Sequence, residues 1–162
     1  MALPKTTTMS QLKEGDKAPA FKAKDQDGKE VSLADFKGKK LILYFYPKDD
    51  TPGCTAEACN LRDNYELLME KGFAILGVSA DNEKSHLKFI KKFELPFPLL
   101  ADTDQSVANA FGTWGLKKFM GREYMGMHRY TFVISEEGVV QKIFTKVETG
   151  NHTQQILAAV EN

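Results

Sequence analysis

Hydrophobic and polar positions divide the chain into short apolar runs separated by amphipathic segments. The runs LILYFYP (41–47) and FAILGVSA (73–80) are continuously apolar, which is typical of strands that are covered on both faces of a sheet. Weak alternation around DQDG predicts a β-hairpin over 21–33. The segments 129–135 and 139–146 flank the turn residues EEGV and predict two antiparallel strands.

The amphipathic segments between these strands predict helices. The longest, CTAEACNLRDNYELLMEKG, is predicted as one helix over 54–72. Thr51 can cap its start, Pro52 suits its first turn and Gly72 can end it. Three further helices and one short strand are predicted over 82–93, 104–112, 152–160 and 97–102.

The order of these elements predicts the fold class. Strand, helix and strand are followed by a helix, a β-hairpin and a final helix, which is a thioredoxin-like plan. We therefore predict an α/β fold with a central mixed β-sheet and helices on both faces. A single domain is expected to span residues 1–162, with a loosely held lead-in up to about Phe21.

Composition and charge exclude several classes of function. The chain has 162 residues, and its 22 Lys plus Arg balance its 22 Asp plus Glu, which gives no charge footprint for nucleic acid or an anionic membrane. The segment 1–19 lacks the apolar run of a signal peptide, and LILYFY is too short to cross a bilayer. Two cysteines do not suggest a secreted disulfide scaffold. A cytoplasmic domain with reduced thiols is expected.

Helical spacing places Cys54 on an apolar stripe that should face the sheet. The stripe consists of Cys54, Ala58, Leu61, Tyr65 and Leu68. Unpaired N–H groups and the positive dipole end of a first helical turn favour the thiolate form of a cysteine, which is a nucleophile. The alternative is that Cys54 is a small buried hydrophobic residue.

Cys59 follows five residues later, roughly 140° around the helix axis from Cys54, and so toward a polar or edge face. In an intact helix the two Cα atoms would be ~8.6 Å apart, whereas disulfides rarely tolerate more than about 7 Å. Either the first turns unwind to let these cysteines pair, or there is no intramolecular disulfide. Two thiols without a neighbouring pair of histidines are a poor zinc site, and we expect no metal and no cofactor.

The segment PKDDTPGC (47–54) has the pattern P-x-x-x-T-x-x-C, which resembles the active-site signature of peroxiredoxins. The following TAEAC resembles the Q-type branch of that family, also called bacterioferritin comigratory protein. The resemblance extends over nearly the whole chain, from GDKAPAF at its start to the terminal helix. It implies a thioredoxin-like fold and a thiol peroxidase.

The resemblance also implies roles for five residues. Cys54 resembles the peroxidatic cysteine, which attacks the peroxide and becomes a sulfenic acid, and Cys59 resembles the resolving cysteine, which then forms a disulfide with it. Thr51 matches the threonine whose hydroxyl contacts thiolate and peroxide, and Pro47 the proline that shields the pocket from water. Arg129 matches the arginine that stabilises the thiolate and polarises the peroxide.

Two further residues join this set, Gly53 from the chemistry of O–O cleavage and Glu57 from its position in the helix. The leaving oxygen develops negative charge, which cationic Arg129 and the backbone N–H groups of Gly53 and Cys54 could stabilise. Glu57, one turn after Cys54, could orient an arginine, or it could be an ordinary first-turn acid favoured by the helix dipole. Without the motif, Arg129 itself could be an ordinary ion-pair residue.

Other conspicuous residues are assigned no catalytic role. His86 and His152 are expected at the surface, and alternation points His128 to the strand face opposite Arg129. Trp114 and Phe119 belong to an aromatic, glycine-spaced loop that could pack against the core, line the pocket mouth or form a dimer contact.

The partners implied are a hydroperoxide and a dithiol reductant such as thioredoxin, with the protein a monomer or a weak homodimer. Two hypotheses without peroxidase turnover stay open at this point, a disulfide exchanger and a redox-sensing binding protein. The absence of C-x-x-C counts against the exchanger, because that motif keeps both thiols within one helical turn.

Overall fold

The computed structural model describes residues 12–161 as strands and helices joined by short loops. The strands are β1 (Lys22–Lys24), β2 (Glu30–Ser32), β3 (Lys40–Phe45), β4 (Phe73–Ser79), β5 (Leu99–Ala101), β6 (Trp114–Phe119), β7 (Arg122–Met127), β8 (Thr131–Ile134) and β9 (Val140–Phe144). The helices are α1 (Pro52–Asp63), α2 (Tyr65–Glu70), α3 (Glu83–Phe93), α4 (Ser106–Phe111) and α5 (His152–Val160). Within residues 12–161, no helix is long and apolar enough to cross a membrane.

Five strands form a mixed sheet in the order β5-β4-β3-β8-β9. Strand β4 lies parallel to both β3 and β5, whereas β8 runs antiparallel to β3 and to β9. The parallel connections run through helices, with α1 and α2 between β3 and β4 and α3 between β4 and β5. The predicted α/β fold with a central mixed sheet is confirmed.

Side chains of β3 alternate between two hydrophobic cores, one on each face of the sheet. The first core contains Leu41, Leu43 and Phe45 with α4 and the β1–β2 hairpin. The second contains Ile42, Tyr44 and Tyr46 with the buried faces of α1, α2, α3 and α5. Helices thus cover both faces, but most of them lie on the face that carries the two cysteines.

The predicted single helix over 54–72 is wrong in its middle, because the chain bends at Asn64 between α1 and α2. The side-chain amide of Asn64 donates to the carbonyl of Asn60 at 2.8 Å, while its backbone N–H is 3.3 Å from the same oxygen. An asparagine side chain that competes for a helical carbonyl favours a helix end. Gly72 does follow the end of α2, with the positive φ that such a position favours.

The lead-in prediction is wrong for residues 12–21, while residues 1–11 lie outside the described part of the chain. The Gly15 N–H donates to the carbonyl of Val140 at 2.7 Å, and that of Ala18 to Gly138 at 2.8 Å. Ala18 and Phe21 are buried in the first core. Backbone bonds to the β8–β9 turn region and apolar burial therefore tie this segment down.

The expected loop around Trp114 and Phe119 is in fact a strand, β6, which pairs with β7 in a separate two-stranded ribbon. Trp114 packs against the first core, whereas Phe119 at the other end of β6 is 66% exposed. The ribbon carries most of the large exposed apolar side chains of the described chain, namely Leu116, Phe119, Met120, Tyr124 and Met125.

Candidate active site

The loop between β3 and α1 carries the motif residues. Pro47 is half-buried at its start, Thr51 is the N-cap of α1, and Pro52 is the first helical residue. The Thr51 hydroxyl donates to the carbonyl of Lys48 at 2.9 Å. The hydroxyl oxygen can still accept a hydrogen bond, but its proton is donated to Lys48 and not to the sulfur of Cys54.

Asp49 fixes this loop to helix α3. One carboxylate oxygen accepts from the Tyr46 hydroxyl at 2.6 Å, and the other accepts from the Ser85 hydroxyl at 2.8 Å and lies 2.7 Å from His86 Nδ1. His86 is fully buried, and its Nε2 donates to the carbonyl of Leu100 at 2.8 Å. The predicted surface position of His86 is therefore wrong, because its helix packs over a loop that the local sequence does not reveal.

Asp49, Asp81 and His86 place oxygen and nitrogen atoms within 4.8 Å of one another, a grouping that could hold a cation. Asp81 Oδ2 accepts from the backbone N–H of Asp49 at 2.8 Å and from the Ser79 hydroxyl at 2.7 Å. Hydrogen bonds within the protein thus account for the arrangement.

Cys54 and Arg129 meet at the first turn of α1. Cys54 is 1% exposed, and Arg129 Nη2 donates to its sulfur at 3.3 Å. Arg129 reaches this point because β8 runs antiparallel to β3, with Thr131 opposite Tyr44, so the start of β8 lies beside the end of β3. The guanidinium therefore places a fixed positive charge next to the sulfur of Cys54.

Gly53 provides the space for this contact. A Cβ atom at Gly53 would lie 3.1 Å from Arg129 Nη2, so a side chain there would require the guanidinium to shift by a few tenths of an ångström. The sequence suggested Gly53 for its backbone N–H alone, and the structure adds this steric reason.

Glu57 is fully buried one helical turn after Cys54 in α1. Its Oε1 accepts from Arg129 Nη1 at 2.8 Å, so the two arms of the guanidinium fork hold one side chain each. The other oxygen, Oε2, is buried without a hydrogen-bond partner. Burial raises the pKa of Glu57 to about 7, although the charge of Arg129 acts in the opposite direction. The contact fits the interpretation of Glu57 as the partner that orients an arginine.

His152 is a buried neighbour of Glu57 that the sequence placed wrongly at the surface. Its Nδ1 donates to Gln155 Oε1 at 2.8 Å, and its Nε2 accepts from the Thr131 hydroxyl at 2.8 Å. The Gln155 amide nitrogen donates to the carbonyl of Lys146, which fixes the direction of these bonds. Burial lowers the pKa of His152 to about 4, so the imidazole is neutral, with Nε2 3.7 Å from Glu57 Oε2.

Tyr44 is a further buried residue close to Cys54 and Glu57, and no role in the site was predicted for it from the sequence. Its hydroxyl is buried without a hydrogen-bond partner. Burial raises the pKa of Tyr44 well above its ordinary value, and the charges of Glu57 and Cys54 add to this effect. Nothing in the apolar run of β3 distinguishes this tyrosine from its neighbours, so the sequence held no signal for it.

The β6–β7 ribbon adjoins Arg129. The ribbon ends at Met127, and His128 then donates through Nε2 to the carbonyl of Leu116 at 3.0 Å, outside any strand. Lys117 bends back to donate to the carbonyl of Met127 at 2.9 Å. Burial lowers the pKa of Lys117, and the charge of Arg129 contributes to the same shift.

Cys54 and Cys59 are both free thiols on the continuous helix α1. Cys54 lies in the second core with Ala58 and Leu61, as the predicted stripe requires, whereas Cys59 is half-buried. The helix that carries them is intact, so the separation of about 8.6 Å between their Cα atoms applies.

Comparison with known proteins gives consistent results. Residues 14–143 match the AhpC/TSA family. The chain is 46% identical over 149 residues to peroxiredoxin Bcp of Escherichia coli, which covers 92% of this chain and 96% of that protein. The structure of peroxiredoxin Q from Xanthomonas campestris superposes with a TM-score of 0.83 at 34% identity, covering 94% of this chain and 96% of that one.

A second X. campestris structure is that of a bacterioferritin comigratory protein studied for alkyl peroxide reduction. It superposes with a TM-score of 0.84 at 35% identity, covering 89% of this chain and 91% of that one. These matches span most of the chain, and the structural ones have TM-scores above 0.8. The chain therefore belongs to the AhpC/TSA family and is a peroxiredoxin, a thiol peroxidase of the Bcp or Q group.

Proposed function

We propose that the chain reduces hydrogen peroxide and organic hydroperoxides through Cys54 and Cys59. The Cys54 thiolate attacks one peroxide oxygen, so that an S–O bond forms as the O–O bond breaks. The leaving oxygen takes up a proton to become water or an alcohol, and Cys54 becomes a sulfenic acid. The Cys59 thiolate then attacks that sulfur, an S–S bond forms, and the hydroxyl group departs as water.

The observation that carries this proposal is the Arg129 contact with Cys54 at the start of the helix that also holds Cys59. Arg129 stabilises the thiolate before attack and the departing oxygen during it. Glu57 holds the other arm of the guanidinium, so the cation is oriented before the substrate arrives. Thr51 can accept a hydrogen bond from the peroxide, Pro47 shields the pocket, and Gly53 offers its backbone N–H.

We also propose a thioredoxin-like dithiol protein as the reductant and the cytoplasm as the compartment. Both cysteines are free in the structure, and a reducing compartment keeps such thiols available. A monomer or weak homodimer is proposed. The X. campestris relative's link to alkyl peroxide supports organic hydroperoxides as substrates.

Intact mass after one equivalent of hydrogen peroxide tests the mechanism. A loss of two hydrogens, mapped by digestion to a Cys54–Cys59 bond, is the expected result. Cys54→Ser should abolish peroxide consumption, while Cys59→Ser should permit one oxidation and block turnover. Full turnover by Cys54→Ser would refute the mechanism, and a stable gain of one oxygen by the unmodified chain would remove Cys59 from it.

A further inference from the structure

Residue Asn60, directly after Cys59, binds the start of helix α5. Its side-chain oxygen accepts from the backbone N–H of Thr153 at 2.8 Å, and its amide nitrogen donates to the carbonyl of Gly150 at 3.1 Å. The amide nitrogen also lies 3.4 Å from Gln154 Oε1. Both ends of the Asn60 amide are thus engaged by a segment that lies 90 to 94 residues away along the chain.

This contact takes the place of an ordinary helix cap. The first N–H groups of a helix have no partner within the helix, and a side chain at the N-cap normally accepts from one of them. Asn151, the N-cap residue of α5, makes no such side-chain bond. Asn60 of α1 supplies the acceptor instead, and the fully buried Thr153 also donates from its hydroxyl to the Asn60 carbonyl at 3.4 Å.

The position of this contact matters for the second step of the proposed cycle. Cys54 and Cys59 can bond only if α1 unwinds between them. The first half of α1 is held by Cys54 and Glu57 through Arg129, and the second half is held beside Cys59 by Asn60. Cys59 cannot leave its helical position without straining or breaking the bonds of its neighbour.

We propose that Asn60 is a latch, whose hydrogen bonds to the start of α5 hold Cys59 in helix α1 and whose opening limits the rate of disulfide formation. Asn60 is a positioning residue for the resolving step and takes no part in the first oxidation. This inference rests on the proposed function, because it needs the Cys54 sulfenic acid as the partner of Cys59. By slowing disulfide formation, the latch prolongs the lifetime of the Cys54 sulfenic acid. A second peroxide molecule can then oxidise that sulfenic acid to a sulfinic acid.

The test separates the two steps in time. The reduced protein is mixed with one equivalent of hydrogen peroxide and quenched at intervals with an alkylating agent and a sulfenic acid trap, and intact masses give each species. In Asn60→Ala, the conversion of sulfenic acid to disulfide should be about 5- to 30-fold faster, since a few net hydrogen bonds are lost. The rate constant of Cys54 oxidation should be unchanged, and sulfinic acid at excess peroxide should decrease.

Asn64→Ala is the matched control. Asn64 lies at the end of the same helix and donates to the Asn60 carbonyl, within the α1–α2 segment itself. It should leave the resolving rate near that of the unmodified chain. An equal acceleration in both variants would show that general weakening of the helix is responsible, and the latch would be rejected.

Thr153→Val tests the same contact by a substitution in α5 instead of α1. It removes the hydroxyl bond to the Asn60 carbonyl, keeps the backbone N–H and preserves the side-chain volume. A smaller acceleration in the same direction is expected. Resolution of Asn60→Ala at the unmodified rate, or a slower first oxidation, would overturn the proposal. If Cys54 of the unmodified chain is not oxidised at all, the proposed function itself has failed.

Discussion

Glu57 and His152 show how burial sets the charge of individual residues below Arg129. Burial favours the uncharged form of each side chain, and so raises the pKa of Glu57 to about 7 and lowers that of His152 to about 4. Arg129 therefore has a partner whose own charge changes near neutral pH, while the imidazole next to it stays neutral. The two groups make the stability of the fold depend on pH in opposite directions.

The contribution of His152 to the free energy of unfolding should decrease as the pH falls. Its folded pKa of about 4 lies below the ordinary value of 6.5, so the unfolded chain binds the proton more tightly and stability from this group is lost as the pH falls from 6.5 to 4. The loss should reach about 3 kcal/mol. His152→Gln cannot titrate, and the difference in unfolding free energy between the two proteins should therefore shrink over this window.

Urea unfolding at several pH values between 4 and 7 measures that difference. Glu57 contributes in the reverse sense, since its raised pKa means that stability is lost as the pH rises from 4.5 to about 7. It is present in both proteins, so it largely cancels in the comparison. A difference that stays constant across the range would contradict a neutral, buried His152.

At the scale of elements, Gly77 in β4 shows how closely strands and side chains approach below the site. A Cβ atom there would lie 2.6 Å from Leu99 Cδ2 and 2.9 Å from Tyr44 Cζ. Leu99 belongs to the neighbouring strand β5, and Tyr44 projects from β3 toward the second core. The absence of a side chain at Gly77 is what allows the Tyr44 ring to pack next to the cysteine-bearing helix.

Gly77→Ala should destabilise the protein by about 1–3 kcal/mol, because the added methyl group overpacks a filled core. Thermal or urea unfolding of the reduced protein measures the change. Gly150→Ala is the matched control, since a Cβ atom at Gly150 meets no atom within 4 Å, and it should be nearly neutral. Equal stability of the two variants would show that β3 and β5 can move apart to accommodate the methyl group without loss of unfolding free energy.

The break between α1 and α2 is a second feature of element scale that was predicted incorrectly. The apolar stripe continues through Tyr65 and Leu68, and this spacing indicated one helix. The bend at Asn64 depends on a side-chain bond to Asn60, and Asn60 is itself held by α5. Spacing alone cannot show such a competition for a backbone carbonyl.

At the scale of the whole molecule, the disulfide form should be less folded than the reduced form. Forming the Cys54–Cys59 bond requires α1 to unwind between the two cysteines, which disturbs the packing of Cys54 and Ala58 in the second core. A disulfide usually stabilises a protein by constraining its unfolded state, and the effect is smallest for a short loop such as this one.

Urea unfolding of the reduced and the peroxide-treated protein should therefore differ in both the midpoint and the m-value. The oxidised form should have the lower midpoint, and its m-value should be smaller by roughly a tenth because it exposes less new surface on unfolding. Cys59→Ser treated in the same way keeps α1 folded and should retain the m-value of the reduced protein. A more stable oxidised form with an unchanged m-value would contradict the unwinding of α1.

The sequence by itself determined the kinds and order of the main elements, the inward position of Cys54, and the separation of the two thiols on one helix. These properties depend on spacing over a few residues, and local periodicity and helix geometry report such spacing directly. The motif also indicated Thr51, Pro47 and Arg129 by resemblance.

Only the tertiary structure decided which polar groups are buried and what they touch. Glu57 and Arg129 are 72 residues apart along the chain, and Asn60 and Thr153 are 93 apart. His86 and His152 were misplaced for the same reason, since each is buried by a distant segment rather than by its own helix. Burial and pairing of ionisable groups depend on contacts between remote elements, and a single sequence carries no local pattern for them.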